Sequence, residues 1–317
     1  MQNNNTKFKF FSLLSCLPRT MRSIVWGSFT LFAFTPLEIL LKLLRCFQKA
    51  KLNLFPIKVL ILSLFLTGLS FTFVSAQDIT TGLVGHWKFD ETSGTSATDS
   101  SGNNNTGTLT NGPTWTTGKI GNALSFDGAD DYVNIGQSAG VTNLKPLTVS
   151  LWIKPQSYGS SAVGVFAGKS YGTGNYVDAG WSFGFDGSGT GGTQFSVSHT
   201  SPYTDLRAKS AANLFSLNQW QHVTVTWDGS SNAQNVHIYH NGQETLYQVQ
   251  QNGVTNPDSD SPVAFILGSA ITPTQQGQFN GSIDDVRIYN RVLTVFDVQT
   301  LYNLASGPPD TTPPAVS

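Results

Sequence analysis

Cysteine and methionine are absent from the sequence beyond residue 76. Both cysteines, Cys16 and Cys46, and both methionines, Met1 and Met21, precede that position. Disulfide bonds and reactive thiols need cysteine, so neither is available to the segment that follows. That segment is long enough, at roughly 220 residues, to fold as one sandwich or barrel domain around its own core.

Basic residues are also scarce in that segment. The chain has 18 basic and 19 acidic residues. Nine of the basic residues but only one acid, Glu38, precede Gln77, which leaves a net charge of about −9 for the remainder. A surface with this charge disfavours nucleic acids and anionic membrane surfaces as partners. It suits an exported protein, or one that holds hard cations.

The N-terminal part carries a secretory signal pattern at residues 51–76. Lys51 and Lys58 precede an apolar run, 59–73, and Val74-Ser75-Ala76 forms a small-x-small cleavage site. An uncleaved membrane anchor is the alternative, but about 15 apolar residues are short for a membrane span. Cleavage is therefore favoured, and contact with a membrane is expected only through this signal or anchor.

The two ends of the chain are predicted to lie outside the folded domain. Residues 1–50 are interpreted as a leader extension that a start codon assigned too far upstream would produce. Residues 306–317 are rich in proline and predict an extended linker to a further, C-terminal domain.

Residues 82–305 alternate short strand patterns with turns rich in Gly, Asn and Ser. Apolar and polar residues alternate in 147–153 and 222–227, and Asn241-Gly242 is a preferred two-residue hairpin turn. The pattern predicts an all-β, two-sheet antiparallel sandwich. One short helix is predicted near the end, over 292–305.

Six motifs in register identify a resemblance. In chain order they are Gly85-His86-Trp87-Lys88-Phe89-Asp90-Glu91, Asp99-Ser100-Ser101-Gly102-Asn103, the block 121–133, Ser150-Leu151-Trp152-Ile153-Lys154-Pro155, the block 220–229 and the block 283–291. Together they resemble the bacterial LamG-like jellyroll domains of the concanavalin A-like lectin/glucanase superfamily. The resemblance implies two curved sheets packed face to face, in an exported, modular protein of carbohydrate-binding or cell-adhesion type.

Glycoside hydrolases occur in the same superfamily, so catalysis has to be considered. A retaining glycosidase needs two carboxylates about 5 Å apart. Beyond the signal the only glutamates are Glu91 and Glu244, and Asp284 and Asp285 are adjacent, which on a regular strand points them to opposite faces. The sequence therefore predicts a protein that is not an enzyme.

Acidic residues near the two ends of the domain predict a structural calcium site. Asp284 would share a face with Val286 and Ile288, so it is predicted to be partly buried, and a buried carboxylate needs a partner or a metal. The resemblance implies calcium between the first and last strands, held by oxygen ligands. The predicted ligands are Asp90, Asp99, Asn103 and Asp284. The alternative is that Asp284 pairs with an arginine, Arg287 or Arg291, and that the 99–102 segment is a simple turn.

A second acidic group, Asp127, Asp130 and Asp131, is predicted to shape the turn around Gly128. Aromatic residues in stretches rich in Gly and Ser are predicted to be exposed and to stack on sugar rings. The candidate ligand-binding residues are Tyr158, Tyr176, Trp181 and Tyr203.

The sequence as a whole predicts a secreted or cell-surface recognition module, stabilised by calcium, within a larger adhesin-like protein. Its expected partner is a glycan or an extracellular protein. A structural spacer without a ligand is the alternative, and a glycoside hydrolase is less favoured.

Overall fold

Alternating side chains and frequent turns produce two stacked β-sheets. The computed structural model of the protein describes residues 78–159, 163–170, 179–199, 205–270 and 277–305. The predicted leader, signal segment and C-terminal linker fall outside these ranges, as do Tyr176 and Tyr203.

The described residues form 17 strands and one α-helix. In chain order they are β1 (Leu83–Trp87), β2 (Ser96–Ala97), β3 (Gly107–Thr110), β4 (Thr114–Thr117), β5 (Asn122–Asp127), β6 (Tyr132–Gly136), β7 (Leu147–Pro155), β8 (Val165–Lys169), β9 (Trp181–Phe185), β10 (Thr193–Val197), β11 (Leu206–Ser210), β12 (Gln221–Trp227), β13 (Val236–His240), β14 (Gln243–Glu244), β15 (Tyr247–Gln251), β16 (Phe265–Leu267), β17 (Asn280–Tyr289) and α1 (Val295–Leu304).

All strand pairs are antiparallel. Sheet A has the order β14-β13-β12-β7-β17-β5-β4, and β1 also pairs with β17. Sheet B has the order β15-β11-β10-β9-β8-β16-β6-β3-β2. This arrangement confirms the predicted two-sheet sandwich.

The core lies between the two sheets, where every second residue of a strand points inward. In β7, Leu147, Val149, Leu151 and Ile153 are at most 1% exposed and belong to one hydrophobic cluster. Aromatic rings from sheet B fill the other side of this cluster. Removing such side chains from water is the main source of stability in a sandwich of this kind.

A β-bulge interrupts the last strand, β17, and corrects the predicted facing of its acids. Asp284 pairs with Trp152 and Arg287 with Ser150, so β17 has one extra residue at this point. Asp285 takes up this residue with a positive φ of 48°. The bulge puts Val286 on the same side as Ile283, in the core. The prediction that Asp284 shares a face with Val286 and Ile288 is therefore wrong.

Helix α1 covers the outer face of sheet A. The helix begins with a capping box, in which the Thr294 hydroxyl accepts a hydrogen bond from the Asp297 N–H and the Asp297 carboxylate accepts one from the Thr294 N–H. Its apolar side packs on the sheet in a second cluster, formed by Tyr239, Tyr289, Leu293, Val298 and Leu301. The predicted C-terminal helix is thus confirmed. In the part of the chain that the structure describes, no helix is both long and apolar enough to cross a membrane.

Candidate functional site

Asp284 holds the turn between β4 and β5. Its Oδ2 accepts hydrogen bonds from the backbone N–H groups of Lys119 (2.8 Å) and Ile120 (2.9 Å). The side chain is fully buried, and its Oδ1 has no hydrogen-bond partner among the described residues. A buried carboxylate oxygen without a partner is costly, so this atom is a natural position for a cation or a proton.

Burial dominates the acidity of Asp284. It raises the pKa of this carboxyl from its usual range to about 8, a change that the Ile120 N–H opposes and the Asp285 charge reinforces. In the absence of a cation the group therefore carries a proton for much of the time at neutral pH.

Asp285, the next residue, is hydrogen-bonded to His86 and forms an ion pair with Arg287. Its Oδ1 lies 2.6 Å from His86 Nε2 and 3.2 Å from a terminal nitrogen of Arg287. Burial alone would raise its pKa, but the hydrogen bond from His86 and the Arg287 charge hold the pKa below the usual value. The arginine predicted as an alternative partner of Asp284 thus pairs with Asp285, and Arg291 pairs with Asp297 at 3.1 Å.

Asp90 holds the other side of the same turn. Its Oδ1 accepts a hydrogen bond from the Asn122 N–H at 3.1 Å, and the Asn122 side chain donates to the Asp90 carbonyl, also at 3.1 Å. Gly121, with a φ of +62°, lies so close that a Cβ would stand 2.0 Å from Asp90 Oδ1. The turn 118–122, hereafter the clasp turn, therefore lies between acids from the first and last parts of the domain.

The other two predicted calcium ligands have different roles. Asp99 Oδ1 accepts hydrogen bonds from the N–H groups of His86 and Ser101, and its Oδ2 accepts one from Asn105. Although burial opposes them, these bonds hold the Asp99 pKa below its usual range. Asn103 is exposed, and its side-chain nitrogen Nδ2 donates a hydrogen bond to the Leu83 carbonyl at 3.1 Å.

The fit of calcium to these residues is therefore uneven. Asp284 has a buried oxygen without a partner among the described residues, which is the kind of ligand a hard cation takes, and Asp90 binds the other side of the same turn. Asp99 does not fit, because both its oxygens already bind backbone N–H groups of its own loop.

Asp127, Asp130 and Asp131 form the one group of three potential metal ligands found among the described residues, with ligand atoms within 4.8 Å of one another. Two of them bind the turn itself. Asp131 Oδ2 accepts a hydrogen bond from the Asp127 N–H, and Asp127 Oδ1 accepts one from Ala129. These bonds confirm the predicted role in the turn around Gly128.

The predicted ligand-binding aromatics do not form an exposed set. Trp181 is 2% exposed, with its ring 6.2 Å from Phe195 and 5.7 Å from Phe265. The prediction that it is exposed is wrong, because it lies on an inward position of β9. Tyr158 is half-buried and packs edge-on against Phe185 at 5.1 Å. Tyr176 and Tyr203 lie outside the described residues.

The outer face of sheet B carries a feature that sequence reasoning missed. One row of paired residues crosses eight strands there: Thr108, Asn134, Ile266, Gly168, Ser182, Ser196, Arg207 and Gln251. The neighbouring row is Val165, Gly184, Gln194, Lys209 and Val249. Small residues, Gly168, Ser182, Ser196 and Gly184, occupy much of the middle of the two rows.

A small cavity of about 10 Å³, enough for about one water molecule, lies among these residues, most of which are buried. It is lined by Val163, Val165, Ser182, Gly184, Phe185, Gln194 and Ser196. We call it the sheet B pocket. The available sequence signal was the alternation in β9 and β10, where aromatic residues that point inward alternate with Ser, Gly or Gln that point outward.

Residues 127–299 match the family model described as the concanavalin A-like lectin/glucanases superfamily. The match spans more than half of the chain, and the protein therefore belongs to this family.

Solved structures share the fold at low identity. Domain 4 of AbnA, a GH43 extracellular arabinanase from Geobacillus stearothermophilus, in complex with arabinotriose, is 22% identical with a TM-score of 0.51, over 69% of this chain and 98% of that chain. The binding domain of Paraclostridial Mosquitocidal Protein 1 is 15% identical with a TM-score of 0.54, over 73% of this chain and 54% of that one.

The receptor binding domain of botulinum neurotoxin mosaic serotype C/D is 14% identical with a TM-score of 0.51, over 71% of this chain and 51% of that one. The protein thus spans about half the length of these toxin domains. A search of curated protein sequences finds no match.

We expect the stability of the metal-free protein to report the titration of Asp284. The folded state holds this proton up to about pH 8, whereas an unfolded aspartate loses it near pH 4. The folded state therefore binds more protons than the unfolded state, and the free energy of unfolding should fall as pH rises from 5 to 8.5, by at most about 1.4 kcal/mol per unit. Urea unfolding in the presence of chelator measures this slope, and Asp284→Asn should remove its part of it.

Asp99→Asn is the matched control for that titration. The pKa of Asp99 is lowered, so its carboxylate is ionised in both states over this pH range and its loss should cost the same at every pH. If wild type and Asp284→Asn keep a constant difference in unfolding free energy from pH 5 to 8.5, the raised pKa of Asp284 is wrong.

Proposed function

We propose that this protein is a non-enzymatic recognition module that binds carbohydrate through the sheet B pocket. Its setting would be a secreted or cell-surface, adhesin-like protein, and an extracellular protein is the second class of ligand. The observation that carries the proposal is the match to the lectin/glucanase family model, and the polar residues that sheet B turns outward around the small sheet B pocket are where we place the contact.

The chemistry of the pocket suits a saccharide. Ser182, Ser196 and Gln194 are polar, and the Gln194 side-chain amide already donates a hydrogen bond to Ser196 Oγ at 2.6 Å, which a saccharide hydroxyl would have to replace. Val163 and Val165 form an apolar wall, which a sugar ring can contact through its C–H groups.

We propose a non-enzymatic role because the sheet B pocket lacks the pair of carboxylates that a glycoside hydrolase uses. Glycoside hydrolysis needs two of them on either side of the scissile bond. The described residues that line the sheet B pocket include no aspartate or glutamate. Asp284 and Asp285 are buried on sheet A instead, where one holds the clasp turn and the other an ion pair.

The structural neighbours support a binding role. One is a domain of an arabinanase in complex with arabinotriose, and two are binding domains of toxins. Because their identity to this chain is low, they indicate the kind of module and leave the ligand to be found by experiment.

We propose calcium as a structural ion of the same domain, at the clasp turn. Asp284 would hold it through the oxygen that has no partner among the described residues, and Asp90, which binds the other side of the same turn, would be the second ligand. The ion would neutralise the buried Asp284 carboxylate and fix the turn against β17. Asp99 is left out of this ligand set.

Filling the sheet B pocket should abolish ligand binding. Ser182→Leu places a larger apolar side chain on the pocket floor, and we expect at least a tenfold loss of binding on an array of glycans and extracellular proteins probed with the full chain. Thr108→Leu is the matched control. It lies in the same row of the same face, about 19 Å away at four strand spacings, and should leave binding unchanged.

Two outcomes would count against this function. Binding that survives Ser182→Leu would place the ligand elsewhere. An array without any bound glycan or protein would favour the alternative class, a structural spacer. Melting curves of both variants are needed to show that each remains folded.

Calcium should raise the melting temperature of the full chain. A ligand present at 100 times its dissociation constant stabilises a protein by about 2.7 kcal/mol, which is on the order of 5 °C for a domain of this size. The rise should disappear in Asp284→Asn and persist in Asp99→Asn. Equal melting temperatures with calcium and with chelator would contradict the calcium site, and would leave the recognition function untouched.

A further inference from the structure

Strand β15 is an open edge of sheet B. Among the described strands it pairs only with β11. In an antiparallel pair, alternate residues turn their N–H and C=O groups away from the partner strand. Within the described ranges, no backbone group of β15 forms a backbone hydrogen bond except to β11. Such an edge is a template on which a further strand can pair.

The other three sheet edges are less suited to pairing. β2 and β14 have two residues each, and β4 has four residues and lies between Pro113 and Lys119. Short edge strands and edges that carry proline or lysine resist pairing with another chain. β15 has five residues and contains neither. An irregularity in its pairing with β11 lies near its start and leaves 249–251 in regular register.

The sequence around β15 is uncharged and partly apolar. No charged residue lies between Glu244 and Asp258. Leu246 and Val254, on either side of β15, are 81% and 72% exposed, more than any other large hydrophobic residue in the described ranges. The net negative charge of the domain opposes contact between copies over most of its surface. At β15, two copies can meet without bringing like charges together.

We propose that β15 pairs with β15 of a second copy of the chain, antiparallel and about a two-fold axis. In such an interface the side chains near the axis face their own copies, so a neutral strand suits it and a charged one is repelled. An axis at Gln250 pairs Val249 with Gln251 of the second copy, and brings Leu246 towards Val254. The facing glutamines can bond through their amides, which both donate and accept.

This inference goes beyond the proposed function, because it assigns a partner to an edge that the sheet B pocket does not use. The two-fold axis stands perpendicular to the joined sheet, so the outer faces of both B sheets lie on the same side. A ligand with repeated units could then contact both copies at once, which raises its overall affinity.

Sedimentation velocity on the full chain, over a range of concentrations, measures the association. We expect an equilibrium between monomer and dimer. Gln250→Lys brings two like charges together at the axis and should weaken the dimer at least tenfold. Thr114→Lys is the matched control, because it adds the same charge at an exposed position on the edge strand β4, and it should leave the dissociation constant unchanged.

Disulfide trapping tests the position of the axis. In a full chain whose Cys16 and Cys46 are replaced by serine, Gln250→Cys should form a disulfide-linked dimer under mild oxidation. Residues opposite each other in an antiparallel pair have Cα atoms about 5 Å apart, a separation that a disulfide can span. Thr114→Cys should remain unlinked.

A full chain that is monomeric at every concentration overturns this inference. A dimer that neither Gln250→Lys weakens nor Gln250→Cys traps also overturns it, because the interface then lies elsewhere. Melting curves establish that each variant is folded. Binding of a saccharide by a monomeric chain would leave the proposed function standing, so the two proposals can fail separately.

Discussion

Two hydrogen bonds from the clasp turn to a buried carboxylate organise sheet A. The acceptor is Asp284, and the donors are the backbone N–H groups of Lys119 and Ile120. β17, which carries this carboxylate, pairs with β1, β5 and β7, so it connects the first strand of the domain with the middle of the sheet. The bulge at Asp285 is what allows two successive acids to lie outside the core while Ile283 and Val286 remain within it.

The two sheets have different outer surfaces. On sheet A, Trp152 lies between the Lys119 ammonium, 5.0 Å from its ring, and Tyr302 of helix α1, whose ring stacks at 5.7 Å. Some polar groups on this face are paired with one another, as His86 and Asp285 are. Sheet B instead carries a pocket with serine hydroxyls at its floor. The two proposals therefore concern separate regions, a cation on sheet A and a saccharide on sheet B.

Much of the fold followed from local patterns. Alternation in β7 and β12, the Asn-Gly turn after β13 and a terminal helix were all readable, because each depends on residues near one another in sequence. The bulge in β17 was not readable. A single inserted residue leaves the apolar pattern of a strand nearly intact. It moves the side chains before the insertion to the opposite face of the sheet. The sequence therefore predicts the wrong face of the sheet for Asp284, although it predicts correctly that this residue is buried.

The candidate sites were also hard to predict from local sequence patterns, because they depend on contacts made in the folded protein. The glycines and serines around Trp181 predict an exposed loop, whereas in β9 those small residues lie on the outer face and the aromatic rings point inward. The sequence predicts Asp99 as a metal ligand, because the identity of a carboxylate does not reveal that three backbone N–H groups already bind it.

The carboxyl carbon of Asp284 offers the most direct test of whether this side chain is buried against the clasp turn. Its ¹³C chemical shift, followed by NMR through a pH titration of the chelator-treated protein and assigned with Asp284→Asn, should report a midpoint near 8, as burial requires. Added calcium should move that midpoint well below neutral pH. A midpoint near 4 in the metal-free protein would show that this carboxylate is solvated. That result would contradict the buried contact between Asp284 and the clasp turn.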